Sequence, residues 1–99
     1  MTMKIPPKVK IRRVAGKTIW YKVVWQEVIR DDQSCMGICD PNERIIYLKM
    51  GMSKTDTIKT FMHEIFHAIE FEWDQPIPHK ITDILEEGAF KLLKLNKWL

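Results

Sequence analysis

The chain is poor in the residues that staple, span or repeat. Its only two cysteines, Cys35 and Cys39, stand four apart, where a disulfide would close too small a loop to hold much, and a zinc knuckle would need two more thiolates. Both read as reduced thiols. No apolar run approaches the roughly 20 residues needed to cross a bilayer, and the opening Met1-Thr-Met-Lys-Ile-Pro-Pro-Lys carries no hydrophobic core of a secretory signal. A soluble, cytoplasmic protein with no membrane partner is expected. No repeat or low-complexity tract occurs, and 99 residues leave room for one small domain, not for a second core or a solenoid. Disorder is excluded too, because the chain is 45% apolar with four Trp, four Phe and two Tyr to bury.

Charge is divided along the chain. Residues 1–30 hold eight Lys or Arg against Glu27 alone, whereas residues 61–90 hold seven acids against Lys80. A nucleic-acid binder gathers cations on one surface. A basic half beside an acidic half therefore leaves nucleic acid a possible partner but not the favoured one, and a solvated basic face is the simpler reading.

The first half, 1–50, reads as strand. Lys8-Val-Lys-Ile-Arg alternates apolar with basic, Ala15-Gly16-Lys17 punctuates it, and Thr18-Ile-Trp-Tyr-Lys-Val-Val-Trp is β-branched and aromatic, so two antiparallel strands around Gly16 are expected. A second hairpin follows, Ser34 to Cys39 and Arg44 to Lys49, turned over Asp40-Pro-Asn-Glu. Gly37, inside its first strand, removes a side chain where other atoms could approach closely. After Gly51 the period becomes helical. Ser53 and Asp56 form a weak capping box opening a helix over 53–73, with Ile58, Phe61, Met62, Ile65, Ala68 and Ile69 on its buried face. Pro76 and Pro78 break it, and a second helix over 79–97 carries the stripe Ile81, Ile84, Leu85, Ala89, Leu92 and Leu93.

The first helix bears His63-Glu64-Ile65-Phe66-His67. Side chains four apart share a helix face, so both imidazoles can reach one cation while Glu64 lies beside it. Zinc suits such ligands. A catalytic zinc takes three protein donors and leaves a position for water, whose pKa it lowers to about 7. Glu64 would take that water's proton as it attacks a carbonyl, then return it to the departing amine. Two structural histidines on one helix are the competing reading.

Together with the strand Ile45-Ile-Tyr-Leu, the helix Thr60 to Glu72, the short break, and His79-Lys-Ile-Thr-Asp-Ile-Leu-Glu-Glu running on to Leu95-Asn96, the motif resembles the zincin superfamily of metallopeptidases in its smallest form, similar to short phage-encoded and SprT-like zinc protease domains. The resemblance covers about half the chain. It implies an α+β, zincin-like fold in one domain over 1–99: a small antiparallel sheet packed on the HExxH helix, with an antiparallel second helix. It also implies a Zn²⁺-dependent peptidase acting on a peptide or protein. In zincins the substrate lies as an added strand beside the sheet, so the resemblance makes Gly37, between Cys35 and Cys39, a substrate edge.

Two residues compete as the third ligand. His79 opens the second helix in the manner of the SprT-like group. Glu86, two turns on, comes level with His67 if the helices are simple antiparallel neighbours, and a Glu deep in the second helix completes the site in the gluzincin group. His79 is favoured narrowly, being a neutral nitrogen donor and the only other His. Glu70 reaches poorly toward a metal held by both histidines, Asp83 suits a supporting hydrogen bond, and Glu87 faces water. Phe71 and Trp73 are expected as lids on the core, with lining a cleft the other possibility. The alternative function is a catalytically weak or inactive zinc-stabilised binding protein that uses this core as a scaffold.

Overall fold

A computed structural model describes residues 4–13 and 16–97. Strands β1 (Lys8–Arg12), β2 (Thr18–Gln26), β3 (Gly37–Asp40) and β4 (Ile45–Lys49) precede helices α1 (Lys54–Trp73) and α2 (His79–Leu95). Both expected hairpins form: β1 pairs antiparallel with β2, and β3 with β4. Gly16 turns the first at φ 88°, a conformation open to glycine without steric cost, while Ala15 lies outside the described residues. In the second, Asp40 Oδ1 accepts the Glu43 N–H at 3.1 Å, an Asx turn that Pro41 prearranges.

The sheet is mixed, not wholly antiparallel. Its order is β1-β2-β4-β3, and β2 runs parallel to β4 with Lys22 beside Ile45 and Gln26 beside Lys49. Burial explains why the second hairpin docks by β4. Ile46 and Leu48 are completely buried, whereas β3 offers Gly37 and Cys39 to the same face and takes the edge. The crossing segment is pinned by Ile29, also completely buried.

One face of the sheet covers α1. Ile11, Tyr21, Val23, Ile46 and Leu48 meet Phe61 and Ala68 in a single cluster. Ser53 caps α1, its Oγ accepting the Asp56 N–H at 3.1 Å, and Asp74 ends it in the left-handed region. Near that end Glu72 is buried: Tyr21 donates to its Oε2 at 2.7 Å. Arg13 Nε lies 3.1 Å from Oε1 and Arg44 Nε 3.5 Å from Oε2, so two cations neutralise a carboxylate that burial alone would disfavour. Burial and the Glu72 carboxylate together push the Tyr21 phenol above its ordinary pKa.

Contacts between the helices run in opposite senses. Glu70 meets Ile77, His63 meets Glu86, and Lys59 meets both Glu87 and Phe90. The expected antiparallel pair therefore forms, but on a different face of α2. Thr82 and Phe90 are buried, whereas Ile81, Ile84, Leu85 and Leu92 of the expected core stripe are exposed. The polar contacts of Glu86 and Glu87 rotate α2 toward α1 on its Thr82, Glu86 and Phe90 side. Trp73 and Phe71 are not lids on the core either: both are exposed, and Trp73 Nε1 donates to the Arg12 carbonyl at 2.7 Å.

Candidate metal centre

Helical spacing puts His63 and His67 one turn apart on α1, and their rings meet edge to face, centroids 4.6 Å apart at 84°. Each Nδ1 faces a carboxylate: His63 at 2.5 Å from Glu86 Oε1, His67 at 3.1 Å from Glu70 Oε1. Glu70 is itself fixed, its Oε2 accepting the Ile77 N–H at 2.9 Å. An ionised carboxylate only accepts, so both Nδ1 atoms must donate. In the neutral tautomers both Nε2 lone pairs are then left bare, and these atoms face each other 3.0 Å apart.

Two facing lone pairs repel unless a cation lies between them. A proton can sit there, and so can a metal: tetrahedral zinc with Zn–N of about 2.0–2.1 Å holds two nitrogens roughly 3.3 Å apart. The donor pair fits zinc, and carboxylates on the far ring nitrogens are the usual support of metal-binding imidazoles.

Glu64 projects from the same turn toward the sheet and is only 6% exposed. Burial pushes its carboxyl above the usual carboxylate range, against the pull of His63, His67 and the Cys39 backbone N–H. Gly37 makes room for it. A Cβ there would stand 2.5 Å from Thr60 Cγ2 and 3.3 Å from Glu64 Cγ, so the close approach anticipated at Gly37 is that of α1 side chains.

Strand β3 is the sheet edge beside the centre. Lys49 N–H bonds the Met36 carbonyl, and antiparallel pairs alternate between bonded and unbonded positions. Gly37 and Cys39, opposite Leu48 and Ile46, therefore turn their N–H and C=O groups to the open side. Cavities flank the centre along this edge. One of about 440 Å³ is lined by Gly37, Thr60, His63, Glu64 and Glu86, the other, about 450 Å³, by Cys39, His67, Glu70 and Phe71. Phe71 thus lines a cleft, as the second expectation for it had it. Both cysteines are free, and burial pushes the Cys39 thiol up to about 12.

The structure brings together His63, Glu64, His67 and Glu86, and adds Glu70. It does not bring His79 to them: that residue is exposed at the start of α2, and among the described residues no three His, Cys, Asp or Glu side chains form a metal-holding group. Glu86 comes level with His63, not His67, one turn from the expected register, because α2 slides until Lys59 and Glu87 pair at 2.7 Å. Asp83 is exposed and supports neither histidine. Glu70, set aside in sequence as a poor ligand, orients His67. Its position three residues after His67 was the available signal. The chain matches no family model, no curated protein and no solved structure. No helix among the described residues is long and apolar enough to cross a membrane.

Proposed function

We propose that the protein is a zinc-dependent peptidase of the zincin type. The observation that supports this best is the bare pair of Nε2 atoms, 3.0 Å apart, with both Nδ1 atoms held by carboxylates. His63 and His67 are the donors, Glu86 and Glu70 their orienting partners, and the third donor is His79 or Glu86, with His79 preferred. Counted along α2, His79 shares the α1-facing side with Glu86 two turns earlier, about level with Glu70. When bound, the cation lowers the pKa of a water to about 7 and polarises a carbonyl. Glu64 accepts the proton of the attacking water and delivers it to the leaving amine. Its elevated pKa suits a group that must both take and release a proton near neutrality. A peptide substrate pairs with the open Gly37 and Cys39 backbone groups as an added strand.

The test is metal content followed by turnover. Protein expressed with zinc is expected to hold about one ion per chain, and Glu64→Gln to keep that zinc while losing at least about two orders of magnitude in peptide cleavage. Absence of zinc overturns the reading.

A second reading draws on a specific observation. Lys8, Lys10, Arg12, Lys22 and Lys49 share the sheet face opposite α1, where Lys8 and Lys10 Nζ stand 4.4 and 4.9 Å from the Trp20 ring centroid. Folding thus collects on one surface the cations that looked merely amino-terminal in sequence. As a metal-stabilised scaffold the protein would offer that face to a polyanion such as nucleic acid, with affinity falling steeply as salt rises. Zinc without cleavage, and salt-dependent oligonucleotide binding, would favour this reading over the peptidase.

A further inference from the structure

Helix α2 touches α1 and none of the strands, and its most apolar face points away from α1. Ile81, Ile84, Leu85, Leu92 and Leu95 are exposed, Ile84 by 63% and Leu95 by 82%. At about 100° per residue they fall in one stripe roughly 100° wide, and an apolar stripe left open on a folded protein marks an interaction surface. Gly88 lies in the middle of that stripe, and a Cβ there would meet no atom within 4 Å.

The stripe is symmetric about Gly88. Ile81 and Leu95 stand seven residues to either side of it, Ile84 and Leu92 four. A two-fold interface needs such a self-complementary patch. Laid antiparallel on a second copy and crossing at Gly88, α2 sets Ile81 against the partner's Leu95 and Ile84 against the partner's Leu92, with the bare glycines letting the backbones approach. Charge agrees with this occupant. One flank of the stripe carries Asp83 and Glu87 in its first half and Lys91 and Lys94 in its second, and antiparallel pairing brings the acidic half of each helix beside the basic half of the other. We propose that the exposed face of α2 is a homodimer interface, an antiparallel helix pair centred on Gly88. The pairing also fixes the helix that carries Glu86 to His63.

Sedimentation velocity over a concentration series tests this on the full chain. A species of twice the 11.8 kDa chain mass is expected, and Ile84→Glu or Gly88→Gln should abolish it while far-UV circular dichroism stays unchanged. Charge reversal tests the direction of pairing. Asp83→Lys and Lys94→Glu should each weaken self-association at least about tenfold, because each places two like-charged pairs across the two-fold axis. An equimolar mixture of the two variants should restore the dimer, since both pairs become opposite in sign. A chain that stays monomeric at every concentration overturns the proposal, as does one that stays monomeric and instead partitions onto anionic vesicles. A dimer indifferent to Ile84→Glu and Gly88→Gln overturns it equally, and failure of the mixture to associate overturns the antiparallel register.

Discussion

Helix α1 lies under the sheet with Ile58, Phe61 and Ala68 almost fully buried and its end tied by Glu72 to Tyr21, whereas α2 packs on α1 alone and buries only Thr82 and Phe90. The centre is assembled from both. The two imidazoles and Glu64 come from the rigid helix, and the carboxylate that orients His63 comes from the weakly supported one. A group that must be held accurately belongs on the element with most buried area behind it. A supporting carboxylate tolerates a looser mount, since its own displacement is felt only through the ring it holds.

The largest expected effect attacks the stronger side. Phe61→Ala removes a side chain 3% exposed and should cost about 3–5 kcal/mol, read from urea unfolding. A loss below about 1 kcal/mol would mean that α1 is not the anchored helix. Next comes the seat of Glu64. Gly37→Ala drives a Cβ to 2.5 Å from Thr60 Cγ2 and should cost roughly 1–3 kcal/mol as overpacking. Combining it with Thr60→Ser, which deletes that methyl, should recover part of the loss. A double variant no better than the single would place the strain elsewhere.

Comparable in size but confined to the metal is the test of the looser side. Glu86→Gln keeps an acceptor for His63 Nδ1 while removing its charge, so zinc affinity should fall by about 10–100-fold, measured by competition with a chromogenic chelator. His79→Ala should fall further if His79 is the third donor. The reverse order would give that place to Glu86. Smallest of all, Leu92→Ala, 53% exposed in the single chain, should change unfolding free energy by no more than about 0.5 kcal/mol under dilute conditions. A larger loss there would mean that α2 is buried even at high dilution.

Local chemistry is where the sequence spoke clearly. Alternation and turn residues placed all four strands, Ser53 and the prolines bounded α1 and α2, and the four-residue spacing of His63 and His67 put both rings on one face, because each of these signals acts within a few residues. The structure supplied what depends on long-range competition. The sheet became mixed because Ile46 and Leu48 outcompete Gly37 and Cys39 for the inner position. Glu86 met His63 because one Lys59–Glu87 pair set the slide of α2, which no periodicity within α2 encodes.

The sequence by itself determined the ring pair, the neighbouring acid and the helix that presents them, since backbone geometry alone fixes residues one turn apart. Only the tertiary structure decided which carboxylates hold the rings, what clears space for Glu64 and which face of α2 stays open. Those outcomes depend on how amphipathic elements rotate and slide against one another until buried area and paired charge are jointly satisfied, and a linear pattern with two usable faces, as α2 has, leaves that rotation undetermined.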